Sequence, residues 1–399
     1  MIRKLDNGII VRSCFLKNSN SICLILKLNI GSAWEKQNRR GITHLVEHLC
    51  FRRHKGISQS DFYYKIEKIG GHLRGITYRD CVLFEITVLR KHLFEAIDIL
   101  RGLFDENRWT YEDIRKEKQV VLRQIEDSGE WKHKQLIYDF FCKAPAGEYI
   151  HGTENKVMSC TKNNINIWKN TIFNTNLAEI IVVGNIIEKD ISHICDIFSD
   201  IPKSSSILLS EIKPKRFLSR NKCDTYFYED GEESAALSLA FDIDTEHIQK
   251  RYMNILHNAL CCGLLSPFTM RLREEKGLLD QITSGCDFYS FGGVLYFIFE
   301  VEQKNFELLS SSVSDLFIDQ IKNLDKRAFE CAKAAFTDRA EALLFTPCEF
   351  AYFLAFNGEI SSPEQYLDEY ASVEYDAVCE IAANVLKKEN VTINIYNKE

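Results

Sequence analysis

The chain has 399 residues, of which 45% are hydrophobic and 27% charged, with a formal net charge of -7. That length exceeds one small core and points to two domains, and the acidic balance speaks against a nucleic-acid binder that neutralises phosphates. No run of eighteen apolar residues occurs, so no membrane span is expected. MIRKLDNGIIVRSC at the start has charge where a signal peptide needs its apolar stretch. The fourteen cysteines are scattered, mostly inside apolar runs, with no Cys-x-x-Cys pair. This predicts buried free thiols in a reducing compartment and a cytoplasmic protein.

In chain order, NGIIVRSCF and SICLILKLNI are dense in β-branched residues and read as strands. GITHLVEHLCF and SQSDFYYKIEKIG follow as helices, the second closed by Gly70 and Gly71. VLFEITVL is a strand, HLFEAIDILRGLFDENRW an amphipathic helix, and a long helix covers roughly 110–130. EIIVVG, 179–184, closes this half as a strand.

PKSSSILLSEIKPKRFLSRNK, with Pro, Ser and a basic cluster, is the linker candidate. The second half then repeats the order: strand SAALSLAFDI, helices EHIQKRYMNILHNALCC and SPFTMRLREEKG, strand GVLYFIFEV, helix NFELLSSSVSDLFIDQI, further helices and a closing strand VTINIY. The expectation is an α+β protein of two homologous domains, 1–203 and 223–399, joined by a linker at 204–222. Each has a mixed or antiparallel sheet with helices packed on one face.

HLVEH places His44 and His48 four residues apart, about 40° around a helix, so both project from one face. Two neutral imidazoles held this way supply two of the three protein ligands of a catalytic zinc. Glu47 lies beside them, where a carboxylate can take a proton from water activated by the metal. The alternative is a pair of polar histidines on an ordinary helix. No P-loop string occurs, and GGHLRG lacks the strand–GxGxxG–helix setting of a dinucleotide site. His72, His151 and His193 lack ligand spacing and read as structural or surface residues.

HxxEH, together with LDNGIIV, GSAWE, IEKIGGHLRGITYRD, EKQVVLRQI, HGTENKV, EIIVVGNI and SPFTMRLREEKGL in the same order, resembles the pitrilysin-type zinc metallopeptidases, or inverzincins. It resembles in particular the short-chain branch that includes mitochondrial processing peptidase and bacterial homologues. The resemblance implies a clam-shell of two homologous domains, commonly dimeric, that admits unfolded peptides. It also implies zinc held by His44, His48 and a third ligand on a later helix, with Glu47 as the catalytic base.

Three sites depart from the family pattern. The third-ligand glutamate corresponds to Gln124, and the family's earlier glutamate to Glu117, about 20° away in helical phase and able to support the shell. A neutral amide oxygen binds zinc less well than a carboxylate. The substrate-holding arginine corresponds to Arg273, but the tyrosine seven residues on is Asp280. The edge-strand Asn-Ala is Arg74-Gly75, whose backbone still offers pairing to a substrate strand. Together these imply a zinc endopeptidase that cuts unfolded peptides or leader segments, such as a ribosomally made precursor. It would act as the zinc-bearing chain of a heterodimer, or as a homodimer. The alternative is a catalytically decayed relative that binds peptides or serves as a structural subunit.

Overall fold

The computed structural model describes residues 1–399 apart from 107–108, 127–130, 142–144, 206–221, 228–233, 280–281, 344–345, 359 and 398–399, and apart from a few side chains at segment ends. Asp280 and most of the expected linker therefore lie outside the described residues.

The chain forms two compact units, each built on one sheet. Residues 1–128, 148–214 and 340–366 make the first; 129–147, 215–339 and 367–399 make the second. The first sheet contains β1 (Ile2–Lys4), β2 (Ile10–Phe15), β3 (Ser21–Leu28), β4 (His72–Thr77), β5 (Val82–Leu89) and β6 (Ala178–Gly184), in the order β1-β2-β6-β3-β5-β4. Only β2 and β6 run parallel; the other neighbours are antiparallel. β6 is buried along its whole length, as AEIIVVG demands of a strand covered on both faces.

The second sheet contains β7 (Lys222–Phe227), β8 (Ser234–Ile243), β9 (Thr283–Tyr289), β10 (Gly292–Glu302) and β11 (Val391–Asn397), in the order β7-β11-β8-β10-β9. Its one parallel pair is β7 with β11. Leaving β1 aside, the two sheets have the same order, first-fifth-second-fourth-third, and the same parallel pair. The expected duplication in an α+β fold is borne out.

The helices in the first half are α1 (Ile42–Leu49), α2 (Gln59–Lys68), α3 (Leu93–Gly102), α4 (Tyr111–Glu126), α5 (Trp131–Phe140), α6 (Glu154–Ser159), α7 (Lys162–Ile172) and α8 (Glu188–Ser199). α2 stops at Ile69, and Gly70 follows with φ +63°, a left-handed conformation that glycine adopts without a Cβ penalty. The segment expected as one long helix over 110–130 ends its described course at Glu126.

One relationship crosses the sequence halves. α5 packs on β8 and β11 of the second sheet, burying Leu136, Ile137 and Phe140. The helix Pro347–Phe356 packs on β3 and β6, the equivalent strands of the first sheet, and buries Phe350, Ala351 and Leu354. Each half thus gives its third post-sheet helix to the other half's core. Among the described residues no helix is long and apolar enough to cross a membrane, and every cysteine is a free thiol.

Candidate metal centre

α1 is only eight residues long, too short to hold its own shape in water, and is fixed at both ends. At its N-terminus the buried Glu35 accepts hydrogen bonds from the Gly41 amide at 2.8 Å and the Thr43 amide at 2.7 Å. A carboxylate there satisfies two of the orphan N–H groups and favours the helix dipole. Burial is the main influence on Glu35 and lifts its carboxyl to about 7. At the other end the indole N–H of buried Trp109 donates to Leu49 O at 2.8 Å. Trp168 Nε1 donates to Thr43 Oγ1 at 2.9 Å and ties α1 to α7.

On this helix His44, Glu47 and His48 each bring one donor atom within 4.8 Å of the others. The two imidazole centroids are 4.5 Å apart at 67°. α4 packs across α1 and supplies both residues expected from the sequence. His44 Nε2 lies 3.0 Å from Gln124 Oε1, and His48 Nδ1 lies 3.1 Å from Glu117 Oε2. The structure thus brings His44, Glu47, His48, Glu117 and Gln124 together.

Glu117 and Gln124 differ in setting. Glu117 is buried and bonds the Arg52 guanidinium with its second oxygen, whereas Gln124 is exposed. Burial is the largest influence on both His48 and Glu117 and opposes their charge, but their mutual hydrogen bond and the neighbouring charges together outweigh it. The His48 imidazole is held above its usual range with help from the Glu47 and Glu117 charges, and the Glu117 carboxyl below its own with help from Arg52. A carboxylate on Nδ1 fixes the ring's orientation and leaves Nε2 for another partner, the usual arrangement behind a metal-bound histidine.

The donor set fits zinc. Two ligand atoms on a tetrahedral zinc, each at about 2.0–2.1 Å, stand about 3.3 Å apart, close to the observed His44–Gln124 separation. His44 is buried, yet its Nδ1 makes no hydrogen bond and stands 3.4 Å from Glu47 Oε2. The Glu47 carboxylate also accepts from Thr77 Oγ1 at 3.3 Å, and a Cβ on Gly75 would overlap it. The glycine in Arg74-Gly75 thus makes room for this carboxylate beside β4.

Sequence reasoning missed three contributors. Arg52 sits in the basic run FRRHK, 51–55, and its charge steadies Glu117. His151 stacks edge-on against His44 with centroids 4.6 Å apart. Tyr352, from the helix exchanged between halves, accepts a hydrogen bond on its hydroxyl oxygen from Arg74 Nη2 at 2.9 Å; Arg74 also stands 3.6 Å from Glu85. None has a local signal, because each partner is distant in sequence.

Arg273 lies in the second unit, on the π-helical stretch Thr269–Glu275, half exposed and 3.6 Å from Glu274. It lines a cavity there with Cys261, Cys262 and Ser284.

The chain is 23% identical over 402 residues to an uncharacterized zinc protease of Rickettsia felis, covering 96% of this chain and 94% of that one. It is 24% identical over 209 residues to the beta subunit of mitochondrial processing peptidase from Saccharomyces cerevisiae, covering 51% of this chain and 45% of the subunit. A protease from Helicobacter pylori superposes with a TM-score of 0.87 at 18% identity, covering 100% of this chain and 99% of that one, which shows a shared fold. The family description "Insulinase (Peptidase family M16)" matches residues 16–154, and "Peptidase M16 inactive domain" matches 159–336. With HxxEH inside the first matched segment and the two matches together spanning most of its length, the chain belongs to peptidase family M16.

Proposed function

We propose that the chain is a zinc endopeptidase in which His44, His48 and Gln124 hold the metal and Glu47 is the catalytic base. The observation that carries this reading is the convergence of Gln124 Oε1 on His44 Nε2 across α1 and α4, beside Glu47 and the Glu117-oriented His48. Zinc, when bound, supplies Lewis acidity that polarises the scissile carbonyl and makes water a nucleophile near neutral pH. Glu47 takes the proton from the attacking water and delivers it to the leaving amine. Thr77 Oγ1 steadies the carboxylate for that transfer. Glu117 and Arg52 act behind His48 and keep its Nε2 presented.

The substrate class follows from β4, which lies at the sheet edge, pairs with β5 alone among the described strands, and adjoins α1. An extended peptide can pair with its open side, and only an unfolded segment offers such a strand. Leader segments of precursor peptides fit this requirement. Arg74 would set preference at that edge. Arg273 would contact the substrate backbone, and Asp280 cannot donate the hydrogen bond expected of the family's tyrosine. We therefore assign the chain the zinc-bearing role in a heterodimer with a homologous partner, in line with the beta-subunit name of its yeast relative. The free thiols favour a reducing, cytoplasmic setting.

The neutral, exposed Gln124 favours one competing reading, a peptide-binding or structural subunit that has given up the metal. Cleavage of unfolded peptides, assayed alone and with a homologous partner, separates the two. The peptidase loses activity to a chelator and in Glu47→Gln, whereas peptide binding unaffected by both, without cleavage, supports the competing reading.

A further inference from the structure

A second set of metal donors lies on the helix that takes, in the second repeat, the place of α1 between its strands. The α-helix Lys250–His257 runs directly into a π-helical turn, Asn258–Cys262. On an α-helix the residue five positions on swings about 100° past the fourth. The wider i to i+5 turn keeps both near the first, and such turns recur at functional sites. His257 therefore faces Cys261 and Cys262 together.

The two sulfurs are 3.8 Å apart, and Cys262 Sγ lies 3.7 Å from His257 Nε2 and 3.8 Å from its Nδ1. One donor atom from each of the three residues lies within 4.8 Å of the others. On tetrahedral zinc, with Zn–S near 2.3 Å and Zn–N near 2.0–2.1 Å, sulfurs stand about 3.8 Å apart and a sulfur–nitrogen pair about 3.6 Å apart. The Cys261–Cys262 and Cys262–His257 spacings match these values, and Cys261 Sγ lies within 4.8 Å of a His257 ring nitrogen.

Ser284 Oγ closes one side, 3.0 Å from His257 Nε2 and 3.2 Å from Cys261 Sγ. The cluster borders a cavity of about 370 Å³ lined by Cys261, Cys262, Leu264, Thr269, Arg273 and Ser284. Cys262 is exposed and Cys261 buried, so the cluster bridges solvent and core. Two thiolates would neutralise a divalent ion and make its partial burial inexpensive, and soft sulfur donors select zinc over magnesium or calcium.

We infer that His257, Cys261 and Cys262 bind zinc as a Cys2His site, separate from the HxxEH centre, with its fourth position open to the cavity for water or a small donor ligand. The site does not depend on the peptidase reading. Its ligands are thiolates, whereas the His44–His48 centre has none, so the two are told apart by spectroscopy.

The test is a titration of the full chain, freed of metal and kept reduced, with Co2+ as the probe. The expected result is an intense thiolate-to-cobalt charge-transfer band in the near ultraviolet. It should be retained in the His44→Ala, His48→Ala double variant and abolished in Cys262→Ser. Cys262 is exposed, so that variant should keep its fold, which circular dichroism checks. Zinc content should fall by one equivalent per chain in Cys262→Ser and in Cys261→Ser. Absence of the band while the thiols titrate as reduced, or zinc content unchanged by Cys262→Ser, would overturn the assignment.

Discussion

His44 Nε2 and Gln124 Oε1 stand within hydrogen-bond reach, 3.0 Å apart, where α1 crosses α4, a few tenths of an ångström short of the separation of two zinc ligands. Gln124 holds the position at which the family pattern has glutamate, so the metal would sit in a shell with one negative charge fewer. Gln124→Glu should therefore raise zinc affinity by about tenfold or more, the scale on which ligand surroundings act. Competition with a chromogenic chelator measures this. Equal affinity in the two proteins would mean that the side chain does not touch the metal.

Glu117 bonds His48 Nδ1 and Arg52 at once. Glu117→Gln should lower zinc affinity by roughly 10–100-fold and leave Arg52 without its carboxylate partner. The same chelator titration reads the loss, and an unchanged affinity would reduce Glu117 to a packing residue.

Glu47 is assigned a proton-transfer role and no share in the metal shell. Glu47→Gln should keep its zinc while the cleavage rate falls by about 10²–10⁴-fold. Metal analysis alongside a peptide-cleavage assay checks both halves. Loss of zinc together with activity would make Glu47 a ligand.

Glu35 links the N-terminus of α1 to pH. Its folded-state carboxyl is raised from 4.5 to about 7, chiefly by burial, so the folded chain holds this proton more tightly than the unfolded one. Its contribution to stability is thus fully present below the unfolded value and is lost as pH rises through about 7. The change is on the order of 3 kcal/mol over that window. Urea unfolding of the natural chain and of Glu35→Gln across pH 4–8 reads it: the variant should show a flatter profile, and parallel profiles would refute the assignment.

What the sequence revealed, and what it hid, follows from the range of each interaction. VLFEITVL and SAALSLAFDI match β5 and β8 residue for residue, because strand character is written in adjacent letters. His44, Glu47 and His48 were legible for the same reason, being one helical turn of one segment. Arg52 at Glu117, His151 at His44 and Tyr352 at Arg74 join residues dozens to hundreds of positions apart, and no local pattern encodes them. The exchange of α5 and Pro347–Phe356 was hidden because helical periodicity tells which face is apolar, not which sheet will cover it. HNALCC was read as the tail of a regular helix; the π turn at Asn258–Cys262 breaks that period and aligns His257 with both thiols.

The most direct test of the central claim is the zinc content of the purified full chain carrying Cys261→Ser and Cys262→Ser, which removes the sulfur ligands of the second site. One zinc per chain, lost on adding His44→Ala, is the result expected of a metal held by His44, His48 and Gln124. Zinc absent from that protein but restored by Gln124→Glu would contradict the account and make the chain a family member that has surrendered its metal.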